Sequence, residues 1–149
     1  MKSIHLPPLP SSCLTPIRRE SCYRPLIAGR APAGFPSPAA DHYDKRLDLN
    51  EHLVLHPEAT FFLRVKGDSM IGAGIDDGDI MVIDRSLEPA NNKIAVCFID
   101  GEFTVKRIRK EKNAVYLMPE NPVYPPIKIT EENELIIWGI VTYVIKCLG

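Results

Sequence analysis

The run Lys93-Ile94-Ala95-Val96-Cys97-Phe98-Ile99-Asp100-Gly101-Glu102-Phe103-Thr104-Val105-Lys106-Arg107-Ile108-Arg109-Lys110 decides the fold. Two stretches rich in β-branched and aromatic residues, Lys93–Asp100 and Glu102–Lys110, meet at Asp100-Gly101. Both turn residues tolerate the positive φ of a type I′ turn, so the run reads as a β-hairpin. Outward from it, Thr60–Lys66, Asp79–Asp84, Ala114–Met118 and Glu134–Lys146 show the same enrichment in Val, Ile, Phe and Tyr. Asp76-Asp77-Gly78-Asp79 and Asn91-Asn92 punctuate them. Strands this closely spaced, without amphipathic helices between them, predict a mostly β, antiparallel, strand-rich domain. The one helix expected is short, around Leu47–His56, and Pro57 marks its end. Leu135–Ile145, holding Trp138 and Tyr143, is apolar on both faces and reads as a central core strand.

The chain has 149 residues, 45% apolar and 25% charged, with a formal net charge of -1. That profile fits one soluble globular domain with an appendage, long enough to bury a core without covalent staples. The near-zero charge argues against a strongly basic nucleic-acid binder. No run of about eighteen apolar residues is present, which argues against a membrane span. Met1-Lys2-Ser3-Ile4-His5-Leu6-Pro7-Pro8 is too broken for a secretory signal, so a cytoplasmic setting is expected. The four cysteines (Cys13, Cys22, Cys97 and Cys147) include no C-x-x-C pair and are expected as free thiols, Cys97 as a small core residue.

The chain splits into two unlike parts. Residues 1–40 hold eight of the 14 prolines and carry five basic residues against one acid, a net +4. Prolines stop helices and cannot donate to a ladder, so this part is expected to be an extended or mobile arm. Residues 41–149 carry 13 basic and 18 acidic residues, a net -5, and hold the strand-like runs.

Most familiar chemistries fit poorly. The four histidines, His5, His42, His52 and His56, all precede the strand-rich core, and no G-x-S-x-G elbow accompanies them. Asp68, Asp76, Asp77, Asp79 and Asp84 resemble a carboxylate cluster. A calcium loop starting at Asp77 would nevertheless place Val82 where glycine is required, so solvated turn aspartates are expected and no metal site. The basic run Lys106–Lys110 alternates between strand faces in an acidic domain, so no direct sequence-specific DNA binding is expected. No cofactor motif is present.

Ser69, in Gly67-Asp68-Ser69-Met70, follows the strand Thr60–Lys66. A serine on a glycine-flanked turn at a strand end can present Oγ to a cleft, with neighbouring N–H groups free to face an oxyanion. Gly-Asp-Ser is equally ordinary turn chemistry. Lys106 lies in the otherwise apolar run Phe103-Thr104-Val105-Lys106. Buried there it would lose charge readily and could serve a serine as base; facing outward it would be a common strand lysine.

Gly67-Asp68-Ser69-Met70, followed by Gly74-Ile75-Asp76-Asp77-Gly78-Asp79, resembles the LexA/UmuD family of self-cleaving serine-lysine peptidases. Asp100-Gly101-Glu102-Phe103-Thr104-Val105-Lys106-Arg107 is similar to the segment carrying that family's lysine, and the interval of 37 residues from Ser69 to Lys106 is the family's. Gly34-Phe35-Pro36-Ser37-Pro38-Ala39-Ala40-Asp41 and Arg46-Leu47-Asp48-Leu49-Asn50 resemble the UmuD branch more narrowly. The likeness runs from Gly34 onward. It implies Ser69 as nucleophile, Lys106 as general base and then acid, and the N–H groups of Asp68 and Ser69 as the oxyanion hole. It implies Ala33-Gly34 as the scissile bond, the Ala-Gly pair of LexA-type members rather than the Cys-Gly of UmuD. The domain division it implies is an arm at 1–40 containing the cleavage site and a peptidase domain at 41–149. It further implies cleavage promoted by the RecA filament on single-stranded DNA. The shortened form would be a homodimer that joins a Y-family, UmuC-like polymerase subunit in SOS translesion synthesis.

Three other readings compete with that expectation. A LexA-like repressor would need a helix-turn-helix before the cut, and the 33 residues there are proline-broken. A non-catalytic dimeric module of the same fold would not need both Ser69 and Lys106. A signal-peptidase-like enzyme would need a membrane anchor.

Overall fold

A computed structural model describes residues 13–14, 23–27 and 43–149. In chain order the strands are β1 (Cys13–Leu14), β2 (Tyr23–Ile27), β3 (Tyr43–Asp48), β4 (Thr60–Arg64), β5 (Ile80–Asp84), β6 (Ile94–Ile99), β7 (Glu102–Glu111), β8 (Ala114–Met118), β9 (Ile127–Ile129) and β10 (Leu135–Ile145). Helix α1 (Leu49–Leu53) follows β3, and a single 3-10 turn at Ile71–Ala73 follows β4. By its contacts the chain divides into two units, residues 17–55 and residues 1–16 with 56–149.

In the smaller unit β2 and β3 form a two-stranded antiparallel sheet. Asp48 ends β3 and caps α1, its carboxylate accepting from the Asn50 N–H at 2.9 Å. The helix is shorter than the expected Leu47–His56, because Leu47 and Asp48 belong to the ladder.

The larger unit is one eight-stranded sheet in the order β1-β4-β5-β10-β6-β7-β8-β9, with every pair antiparallel. The expected mostly β, antiparallel, strand-rich architecture holds. Asp100 and Gly101 both take positive φ, 48° and 92°, closing the β6–β7 hairpin with Ile99 opposite Glu102. The run expected as a central strand is central: β10 lies between β5 and β6. Gly139 permits that passage, since a Cβ there would stand 2.5 Å from Ile83 Cγ2.

Side chains alternate into two cores. One gathers Leu63, Val65, Met70, Ile75, Met81, Ile83, Val96 and Trp138; the other gathers Ala95, Cys97, Ile108, Leu117 and Ile140. Each fully buried large apolar side chain contributes about 1.5–3 kcal/mol. Trp138 takes Phe61 and Phe103 edge-on at 5.3 and 6.1 Å, with the Arg85 guanidinium 4.7 Å over its ring. Cys97 is fully buried as expected, and burial pushes its thiol up to about 12. Among the described residues, no helix is long and apolar enough to cross a membrane.

The aspartates depart in part from expectation. Asp79 and Asp84 are buried, not solvated. Asp79 accepts from the Asp76 N–H and from Lys146, while Asp84 accepts from the Ser86 N–H and hydroxyl and pairs with His56. They are structural staples of turns and strand ends. Among the described residues, no group of three or more His, Cys, Asp or Glu is arranged to hold a metal ion.

Candidate active site

The sheet curls. Leu63 within β4, Val65 just beyond its end, Met81 of β5, Val96 of β6 and Phe103 and Val105 of β7 line one cleft of about 240 Å³. Its rim carries Ser69. β4 is tied at its end to the turn before β5: the Val65 N–H donates to Asp79 O at 2.8 Å, and the Gly78 N–H donates to Val65 O at 3.0 Å. Gly67 then reverses the chain at φ 92°, a conformation that favours glycine, and its N–H donates to Asp77 Oδ1 at 2.6 Å. Met70, almost fully buried, pins the far side of the turn. Ser69 is thereby held half-buried between two anchors.

Lys106 comes from the other side of the sheet order, on β7. Alternation sends Lys106 and Ile108 inward, and both are buried. Ala95, a small residue, stands directly across the ladder. The Lys106 Nζ lies 3.0 Å from Ser69 Oγ, 2.9 Å from Thr104 Oγ1 and 3.0 Å from Val105 O. Burial holds the amine below the usual lysine range, with the nearby Cys97 opposing that shift.

Those three contacts accommodate both forms of the amine: the ammonium donates to all three oxygens, and the uncharged form donates to two and turns its lone pair to the third. A neutral –NH₂ has two protons and one lone pair. Val105 O can only accept, and Thr104 Oγ1 can accept the second proton, which leaves the lone pair facing the Ser69 hydroxyl. In that state Nζ can take the hydroxyl proton as an oxygen nucleophile forms. Among the described residues, the N–H groups of Asp68 and Ser69 donate to no protein acceptor, while the carbonyls around them are engaged.

Of the expected site residues, Ser69, Lys106 and Asp68 thus share one locus. Ala33 and Gly34 lie outside the described residues. His56 is engaged elsewhere, with Nδ1 2.5 Å from Asp84 Oδ2. In the basic run, Arg107 forms an ion pair with Glu120 and Arg109 one with Glu111, so it is partnered within the fold. Three contributors escaped sequence reading. Thr104 was findable, since a residue two before Lys106 on a strand shares its face. Glu120, whose N–H donates to Ser69 O at 2.8 Å, and Asn121, whose Nδ2 donates to Asp68 O at 3.1 Å, gave no local signal.

The chain is similar to several known proteins. Residues 25–142 match the family described as Peptidase S24-like. Protein SamA of Salmonella typhimurium is 48% identical over 118 residues, covering 79% of this chain and 81% of that protein. Protein MucA of Escherichia coli is 46% identical over 120 residues, 80% of this chain and 82% of its own length. The LexA repressor of Ectopseudomonas mendocina is 39% identical over 121 residues, 80% of this chain but 59% of the repressor. The match spans most of the chain and includes the Ser69 turn and the Lys106 strand: the chain belongs to the Peptidase S24-like family.

Proposed function

We propose that this protein is a self-cleaving serine endopeptidase of the SOS response, cutting its own arm at Ala33-Gly34. The observation that carries the reading is the buried Lys106 amine 3.0 Å from Ser69 Oγ. Membership of the S24 family and the similarity to SamA and MucA support it.

In this reaction Ser69 Oγ attacks the Ala33 carbonyl carbon and Lys106 Nζ takes the hydroxyl proton. The negative oxygen of the tetrahedral intermediate faces the N–H groups of Asp68 and Ser69. Collapse breaks the C–N bond, and the Lys106 ammonium returns its proton to the Gly34 amine. Water then hydrolyses the Ala33–Ser69 ester with Lys106 again as base, so one water is consumed per cut. Because substrate and enzyme are one chain, attack needs no bimolecular encounter. An extended, proline-flanked segment suits the cleft, since a strand-like peptide adds readily to a sheet edge.

On this reading the RecA filament on single-stranded DNA shifts the arm toward its docked state, and Ser69 and Lys106 perform the chemistry. The product, residues 34–149, is a homodimer that serves a Y-family, UmuC-like polymerase subunit in translesion synthesis. No cofactor enters the scheme. The test is incubation with RecA, ATP and single-stranded DNA followed by intact mass spectrometry. A fragment beginning at Gly34, absent in Ser69→Ala and in Lys106→Ala, is expected. A wild-type chain that stays uncut there and at alkaline pH overturns the reading in favour of a non-catalytic module.

A further inference from the structure

Asn121 follows β8 and is 6% exposed, one of few buried polar side chains in the unit. Its Oδ1 accepts from the Val123 N–H at 3.1 Å and its Nδ2 donates to Asp68 O at 3.1 Å. A backbone N–H only donates and a carbonyl only accepts, so these two partners fix which way the side-chain amide points. The neighbouring chain is fixed to the same turn. Glu120 N–H donates to Ser69 O at 2.8 Å, Gly72 N–H donates to Glu120 O at 2.7 Å, and the Tyr124 hydroxyl donates to Asp68 Oδ1.

Asp68 C=O and Ser69 N–H are two ends of one planar peptide unit. The groups that hold the oxygen set the direction of the hydrogen, and Asn121 Nδ2 at 3.1 Å is the nearer of its two donors, the Ile71 N–H standing at 3.4 Å. A donor on that oxygen also polarises the amide and strengthens its N–H as a donor. The Ser69 N–H itself has no acceptor among the described residues.

We propose that Asn121 is a positioning residue for the oxyanion site: by holding Asp68 O it aims the Ser69 N–H at the carbonyl oxygen under attack. This rests on the self-cleavage reading above. Asn121 touches neither substrate nor the Ser69–Lys106 pair, and acts through the peptide plane. The contact comes from a segment 52 residues beyond Ser69, so the oxyanion site is completed by chain on the far side of Lys106.

The experiment follows self-cleavage of the full chain as a first-order rate across alkaline pH, without RecA, for wild type, Asn121→Asp and Asn121→Ala. Thermal midpoints are recorded alongside. Asn121→Asp keeps an acceptor for the Val123 N–H but has no donor for Asp68 O; Asn121→Ala removes the donor without adding charge. Loss of one aimed oxyanion donor costs about 100- to 1000-fold, and mis-aiming it costs part of that, so both variants should slow by about 10- to 100-fold. The pH midpoint, which belongs to Lys106, should not move in Asn121→Ala, whereas the added carboxylate of Asn121→Asp can only raise it.

A folded variant cutting at the wild-type rate overturns the inference. So does slowing in Asn121→Asp alone, which would be a charge effect, or a displaced pH midpoint in Asn121→Ala, which would place Asn121 on the base. A rate that falls only in step with the fraction unfolded assigns Asn121 a merely structural role and also overturns it. Failure of the wild type to cut at any pH is a separate result, and it removes the self-cleavage reading itself.

Discussion

Thr104→Val is the sharpest probe of the Ser69–Lys106 pair. Valine keeps the shape and removes the hydroxyl that accepts from Nζ at 2.9 Å. A hydrogen bond from a charged donor contributes about 1.5–3 kcal/mol and a neutral one about 0.5–1.5 kcal/mol, so the ammonium loses roughly 1–1.5 kcal/mol more than the amine does. At 1.36 kcal/mol per pH unit, the midpoint of the rate profile should move down by about one pH unit. The amine also loses one of its holds, and about 1 kcal/mol of lost orientation lowers the plateau by roughly fivefold. The two profiles should therefore cross. Well below the midpoint the variant has about ten times more neutral amine and should cleave about twofold faster than wild type; at high pH it should be slower. First-order self-cleavage rates between neutral and strongly alkaline pH, read by intact mass, give both numbers. A midpoint that stays put or rises would refute the idea that Thr104 stabilises a charged lysine poised to act as base.

Lys106→Met should abolish cleavage and also flatten the alkaline dependence of stability. The folded amine sits below its unfolded range because of burial, so wild-type stability should rise with pH between those two values, and thermal midpoints should show the variant without that rise. For Asp84, burial raises the carboxyl, but donation from Ser86 and His56 outweighs it and the net direction is downward. Its stabilising contribution is full above the unfolded value and is lost as pH falls through the folded one. Asp84→Asn should cost about 1–3 kcal/mol at neutral pH and show a shallower acid transition in thermal melts below pH 4. Gly72→Ala places a Cβ 2.4 Å from Glu120 O, a backbone atom that cannot simply swing away. It should cost about 1–3 kcal/mol by chemical denaturation and slow cleavage as well, because Glu120 also holds Ser69 O.

Much of this molecule was legible in one dimension. Asp100-Gly101 announced its hairpin, and the two-faced apolar run Leu135–Ile145 announced a strand buried on both sides. The Ser69 turn and the Lys106 strand were readable as types, and their likeness to a known family made them a pair. The rest was hidden for physical reasons. β9 is three residues long behind Pro125-Pro126, too short for any period to show. β2 contains Pro25 within a two-stranded sheet, so proline content concealed a strand. Asp79 and Asp84 looked like surface turn residues because their partners Lys146 and His56 stand 67 and 28 residues away. Asn121 reaches Asp68 across 53 residues, and no pattern within either segment encodes that contact.

The position of β10 has a consequence for timing. The serine turn is tied to the β4–β5 pair and the lysine to the β6–β7 hairpin, and the strand wedged between these pairs comes last in sequence of the ten. Before that wedge enters, no strand pairing joins the two halves, and only the loop contacts of Glu120, Asn121 and Tyr124 link the serine turn to the lysine's side. On the proposed reading, the strand that completes the sheet between serine and lysine is thus the last of the described strands to be synthesised.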